Sequence, residues 1–553
     1  MLQAKEFAID AVIGSFFCID CALADGQLTV TEQLIQQEVL PQRSTRYPLM
    51  RRDESLSRKR VSFSIILAAL LCGVGVCHGQ QSIAQHFRSE HSMLAEEFES
   101  HLTQLARECL SKNLLGVAEV VQRQNVRPLF MKPSYRRIRA AVAKETVAEN
   151  ASPESQLIGK MRAYEKEYAE KLCTLAKQLT ASGMYSYGAI IFREALNHDP
   201  EHKSARTALG YVERDGRWLR LSGAYLHDRG KRWSDRFGWV SQSDLLHISN
   251  GEIKIRGRWI DENTISDSTR TFDDPWIIRT DHFCIKTDAA LDRGMELGLL
   301  LEDCREVLDI LLGGALTIQH GMPASKTMRS EIHFKYSIPC IVYYYRTIDE
   351  YRSNSTFNVG NDNYSSIYMQ SSRILHCYAA TAAADAYEIV LHEATRQLLH
   401  ENGAANRILG ERSNYWAIAG VASYMESLTS DAEILVVGQS DHARFATAGK
   451  LANLGATIPI RRLVSKGRAA FNESEAATDH YSQAAGMVRF FLDYDEGRYR
   501  EQFATHVLQI CNSTSAQGTD VATLDVLTGK SYELLHVEYE DSFAKGNAGP
   551  QRH

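Results

Sequence analysis

Residues 383–402 read AADAYEIVLHEATRQLLHEN. Ala384, Tyr387, Leu391, Thr395 and Leu398 recur at three- and four-residue intervals, which predicts a largely buried helix. At its centre stands His392-Glu393-Ala394-Thr395-Arg396. A helix that hydrolyses with zinc carries His at i and i+4 on one face, with Glu at i+1 as general base. Here the first His and the Glu are present, and the second His position holds Arg396. A guanidinium does not deprotonate and puts a positive charge where a cation would sit. His400-Glu401 repeats the pair, but eight residues of helix span about 12 Å. His392 and His400 therefore cannot share one metal through bonds of about 2 Å.

Downstream sequence gives this half-motif a context. Residues 416–426 read WAIAGVASYME, and residues 480–486 read HYSQAAG. The first resembles the gluzincin helix W-x-x-E-G-x-A-x-Y-x-E, and the second resembles the Tyr-x-Gln helix of the same family. The stretch from Leu527-Thr528-Gly529-Lys530-Ser531 to Phe543 resembles the closing helices of that family. Over residues 275–545 the chain thus resembles gluzincin-type (HExxH) metallopeptidase-like domains of unknown function in exported bacterial proteins. Those domains often follow tetratricopeptide-like helices. The resemblance implies a zincin-like fold with peptidase ancestry. It makes His392 a vestigial metal ligand, Glu393 a vestigial general base and Tyr481 a vestigial neighbour of the oxyanion. In the family the Glu before the Gly is the third zinc ligand, and that position is Ala419 here. Catalytic zinc needs three protein ligands and an open position; with Arg396 and Ala419 in two of them, no cofactor is expected. The residues keep ordinary structural roles: a hydrogen-bonded core His392, a Glu393–Arg396 pair at i,i+3, and a packed Tyr481. Zinc enters only in the alternative of an active hydrolase on a rearranged site, with His376, His480 or Glu426 as candidate donors.

Working outward, residues 80–213 read as helical. Leu94, Phe98, Leu102, Leu105, Ala106 and Cys109 form one face, and a Pro-containing loop is expected around 127–136. Residues 172–212 resemble a tetratricopeptide unit: Ala176, Gly188 and Ala195 allow two helices to approach closely, and Pro200 is expected to open the next helix. Residues 214–273 change character. Asp215-Gly216-Arg217-Trp218-Leu219 and Arg256-Gly257-Arg258-Trp259-Ile260 are near copies, with Trp233 and Trp239 between them. Gly turns followed by aromatic residues predict short β-hairpins, the Trp side chains serving as anchors of a small core or as a binding platform. From 274 onward the expectation is a strand across Ile277–Ile285, a helix over Leu291–Leu312, strands within 331–345, a polar loop at 360–365, a strand at 367–370 and helices thereafter. The expected fold class is α+β, with a tetratricopeptide-like helical region, a small β-rich middle and a C-terminal domain (274–545) whose second half is mainly helical; 546–553 is a tail.

Residues 50–79 carry Met50-Arg51-Arg52, further basic residues, an apolar stretch from Val61 to Cys77 and small residues before Gly79, the parts of a secretory signal. Export to the periplasm or outside the cell is expected. Residues 1–49 are then a mis-called start, or a cytoplasmic tail if 61–77 remains as a membrane anchor. A net charge of -6 on 553 residues, with no long basic run, gives no reason to expect nucleic acid. Cysteines are scattered with neither zinc-ribbon nor disulfide-framework spacing. Gly529-Lys530-Ser531 lacks the earlier Gly of a phosphate loop. The function expected is a catalytically silent, exported, peptidase-like protein that binds a peptide or envelope protein. Its rivals are the metal hydrolase and a structural envelope protein.

Overall fold

A computed structural model describes residues 84–123, 130–131, 152–264, 270–313, 338–354, 365–379, 386–402, 409–430, 434–472, 477–513, 515 and 520–546. The signal-like segment at 50–79, the tail, Ala384, most of the polar loop at 360–365 and the first part of the 331–345 segment lie outside the described residues.

The described chain opens with helix α1 (84–111), followed by α2 (Leu115–Arg123). Strand β1 (Phe130–Met131) follows, inside the stretch expected to be loop. It pairs antiparallel with β14 (Ile434–Val436), which pairs with β13 (Thr429–Ser430). Then come α3 (Pro153–Ala181) and α4 (Tyr185–His198), a packed pair. Ser152 caps α3 by accepting from the Ser155 amide, with Pro153 in the first turn, where its missing N–H costs nothing. Gly188 explains the close approach: a Cβ there would stand 2.7 Å from Thr180 Cγ2. Phe98 of α1 stacks flat on Tyr168 of α3 at 4.4 Å, and the Leu102, Leu105 and Cys109 face closes this N-terminal core. Pro200 does not open the next helix. Short α5 (Lys203–Ala208) starts after His202, whose ring accepts from the Ala205 amide as N-cap.

Three β-hairpins follow, each with a Trp on its second strand: β2 (Tyr211–Arg214) with β3 (Arg217–Arg220), β4 (Lys231–Ser234) with β5 (Gly238–Ser241), and β6 (Glu252–Ile255) with β7 (Arg258–Asp261). Helices α6 (Leu221–Asp228) and α7 (Gln242–Ser249) follow the first two. The near-copies at Trp218 and Trp259 are thus the first and third members of a repeat whose middle member carries Trp239. Trp239 is buried, while Trp218 and Trp259 are half-buried. The middle hairpin joins the main sheet, where β5 meets β8 (Trp276–Arg279) in parallel at Gly238 and Arg279. The closeness of that contact requires glycine: Gly238 has φ +69, and a Cβ would fall 2.0 Å from the Arg279 carbonyl oxygen.

The seven-stranded mixed sheet runs β11-β12-β10-β9-β8-β5-β4, with β9 (Phe283–Thr287), β10 (Cys340–Tyr345), β11 (Ser366–Met369) and β12 (Ile374–Tyr378). The single strand expected over 277–285 is two antiparallel strands joined at Thr280-Asp281-His282. Thr280 Oγ1 and the His282 amide both donate to Glu302 of α8 (Leu291–Leu311), and these bonds hold the turn. In β9 Phe283, Ile285 and Thr287 are buried while Cys284 and Lys286 are half-exposed, a period of two. After α9 (Ile348–Asn354) the chain enters its helical half. This comprises α10 (Ala386–Asn402), α11 (Tyr415–Met425), α12 (Ala443–Asn453), α13 (Ile460–Val464), α14 (Arg468–Asn472), α15 (Ala477–Gly497), α16 (Arg500–Asn512), α17 (Leu524–Thr528) and α18 (Tyr532–Gly546). The fold is α+β, with helical regions on both sides of a mixed sheet. All seven cysteines among the described residues are free thiols, six of them buried. No helix among the described residues is long and apolar enough to cross a membrane.

Candidate functional site

Helix α10 packs on α8, on the sheet and on α11. Several polar residues in its middle turns are nonetheless buried, and among them His392, Glu393 and Arg396 are each less than a tenth exposed. Polar groups at that depth need partners. His392 Nδ1 donates to Glu426 Oε1 at 2.7 Å. Glu426 ends α11 and also accepts from Arg444 of α12, Nε to Oε2 at 2.7 Å and Nη2 to Oε1 at 3.2 Å. Burial alone would raise this carboxyl. The His392 hydrogen bond and the Arg444 cation outweigh it and hold the group down at about 2. Ala419 lies seven residues before Glu426, two helical turns less about 20°, so both occupy one face of α11. Ala419 is fully buried there and contributes a methyl group where the resemblance implies a carboxylate. The adjacent Gly420 lies against α15, where a Cβ would meet the Ala484 carbonyl oxygen at 2.7 Å.

Glu393 is committed on two sides. Arg396 Nη1 donates to both of its oxygens at 2.8 Å, which is the i,i+3 pair expected from the spacing. The Tyr368 amide of edge strand β11 donates to Oε2 at 2.8 Å. The Glu393 carboxylate is thus a counter-ion and a cap for a sheet edge. Burial disfavours the Arg396 charge, but the Glu393 carboxylate overcomes this and keeps the guanidinium protonated. Tyr481 of α15 lies with its ring 5.7 Å from the His392 ring and donates its hydroxyl to Asn472 at 2.8 Å. Its phenol is pushed up by burial and then by Tyr415. The sequence-singled residues His392, Glu393, Arg396 and Tyr481 are therefore one cluster. The zinc implied by the resemblance does not fit them, because the set supplies one imidazole, an ion-paired carboxylate, a guanidinium and a methyl group.

Of the candidate substitute donors, His376 shares a hydrogen bond with the Tyr345 hydroxyl at 3.0 Å, and His480 Nδ1 donates to the Phe471 carbonyl at 2.8 Å. Glu426 does belong to a second grouping. Among the described residues, Glu388, Glu426 and His442 bring one potential ligand atom each within 4.8 Å of one another. Glu388 lies one turn before His392 on α10, and His442 is the N-cap of α12. The cap fixes the tautomer of His442: Nδ1 accepts from the Arg444 amide at 3.4 Å, so Nε2 bears the hydrogen and faces Glu388 Oε1 at 3.6 Å. A ring nitrogen that keeps its hydrogen is not a metal ligand, so a cation here would have to break this cap as well as compete with Arg444. Sequence reasoning named Glu426 and missed His442, Glu388 and Arg444. Glu426 ends a recognisable motif, whereas the other three carry no local signal.

The sequence matches no known protein-family model and no curated protein.

Proposed function

We propose that this chain is a catalytically silent, exported, peptidase-like protein that acts by binding a peptide or protein segment. The observation that carries this reading is the Arg396–Glu393 pair, which puts a fixed cation and its counter-ion where metal and general base would act. The His392–Glu426 bond supports peptidase ancestry, since a metal-ligating His usually donates its other ring nitrogen to a carboxylate. Peptide binding rests on this ancestry, and export rests on residues 50–79. N-terminal sequencing of the native protein is expected to begin near Gln80; a cytoplasmic chain beginning at Met1 contradicts export.

Metal analysis tests the silent site. The purified protein is expected to hold much less than one zinc per chain and to show no chelator-sensitive proteolysis. Arg396→His combined with Ala419→Glu is expected to create zinc binding, because His392 is already oriented by Glu426. Either change alone is expected to do little, since two ligands make a poor site. A folded double variant without zinc would show that no room for the ion remains. A second reading, an active hydrolase on a rearranged metal site, is favoured by the grouping of Glu388, Glu426 and His442 and opposed by the Arg444 pair. Stoichiometric metal in the native protein that disappears in His442→Gln would establish it over the first.

A further inference from the structure

A second histidine paired with a buried glutamate lies away from α10, in the turn between β8 and β9. His282 Nδ1 donates to Glu302 Oε2 at 2.6 Å, and its Nε2 faces Ser222 Oγ at 2.6 Å. Thr280 Oγ1 at 2.6 Å and the His282 amide at 2.7 Å both donate to Glu302 Oε1, while Oε2 faces His282 Nδ1. Burial alone would raise this carboxyl, but His282 and these donors hold it down at about 2, so it is a carboxylate, Nδ1 carries the hydrogen, Nε2 carries the lone pair, and the Ser222 hydroxyl donates to it. That is the arrangement of a nucleophile, its base and the group that orients the base.

The surroundings extend the parallel. Ser222 is the second residue of α6, and the N-cap Arg220 makes no side-chain capping bond. Gly223 follows the serine, and a Cβ there would meet Asp281 Oδ1 at 2.8 Å and Trp239 at 3.2 Å. Trp239 donates to Asp281 at 2.7 Å, which fixes that wall. Ser222 is fully buried, whereas the His282 side chain keeps about 15% of its surface in solvent. Burial, with Arg305 nearby, lowers His282 to about 4, so its imidazole is neutral near pH 7.

We propose that Ser222, His282 and Glu302 form a nucleophilic site for small uncharged acyl esters, independent of the cluster around His392. Ser222 Oγ attacks the ester carbonyl carbon as its proton passes to His282 Nε2. The carbon–alkoxide bond breaks, and the alkoxide leaves with the proton from Nε2. Water then adds to the acyl-serine, gives a proton to His282, and the acid departs as the proton returns to Ser222. Glu302 is a positioning residue, held as carboxylate throughout.

The test is phosphonylation of the folded full-length chain by diisopropyl fluorophosphate, in which a serine O–P bond forms and fluoride leaves. Intact mass and peptide mapping are expected to find one adduct, on Ser222. It is expected to be absent from Ser222→Ala and slowed about tenfold or more in Glu302→Gln, whose amide cannot hold the required tautomer. No adduct on Ser222 of the native chain, with folding verified by circular dichroism, overturns the proposal without recourse to any variant. Labelling that persists at Ser222 in His282→Gln overturns the role of the base.

Discussion

Two histidines in this protein are bound the same way on one side and differently on the other. His392 and His282 each give Nδ1 to a buried glutamate, at 2.7 and 2.6 Å. Beyond the ring they diverge. His282 Nε2 meets a hydroxyl, whereas the cluster around His392 contains an arginine already bonded to the only other carboxylate on that turn of α10. The carboxylate sets the orientation of the imidazole, and the group opposite decides what the imidazole can do. One site keeps a transferable hydrogen on its far side, and the other places a permanent cation in its middle.

The comparison breaks first at Glu426. Glu426→Gln leaves Arg444 and His392 facing a neutral amide in a buried setting, and the expected loss is about 3–5 kcal/mol of unfolding free energy in urea titration. A loss below about 1 kcal/mol would show that the cluster is hydrated and that its geometry matters little.

Arg396→Ala comes next, with an expected loss of about 3 kcal/mol, because Glu393 keeps only the Tyr368 amide. Adding Glu393→Gln to that variant is expected to restore part of the loss. Additive effects of the two changes would mean that the pair is not coupled.

Acid should separate the two sites. Glu426 is held below its ordinary value of 4.5 at about 2, so its contribution is present above about pH 4.5 and is lost as pH falls toward 2. His282 is lowered from 6.5 to about 4. Between those values the unfolded chain binds a proton at His282 that the folded chain does not, which lowers stability as pH drops, while the neighbouring Asp281, raised by burial and by Glu302 to about 7, keeps a proton in the folded chain and opposes that fall. Urea midpoints across pH are expected to show the His282 contribution disappear in His282→Gln and the low-pH loss shrink without vanishing in Glu426→Gln, because Glu302 is also held down at about 2. A single step untouched by either variant would remove the distinction.

The smallest effect belongs to Ser222→Ala, about 1–2 kcal/mol, from leaving His282 Nε2 buried without its donor. Restoration of stability by Ser222→Thr would indicate that a hydroxyl at that position is sufficient.

The helices were legible where the chain repeats itself every three or four residues. The α3–α4 pair and α10 were anticipated, and so was the Glu393–Arg396 contact, which spans one turn. The 277–285 segment misled because apolar residues flank a short polar turn on both sides, and the cause of that turn, Glu302, lies on a later helix. Partners far apart in sequence left no local trace. Glu426 meets His392 across 34 residues, and Ser222 meets His282 across 60. The joining of the middle hairpin to the sheet depends on one residue pair, Gly238 and Arg279, that no periodicity marks.

The Arg396–Glu393 pair also has a bearing on supply. A metal ion is shared with the surroundings, exchanging at a rate set by its concentration and by whatever else binds it. A guanidinium on the chain is delivered with every copy made, in fixed proportion, and no competitor can carry it away. The charge at the centre of α10 is therefore the same in a starved medium as in a rich one.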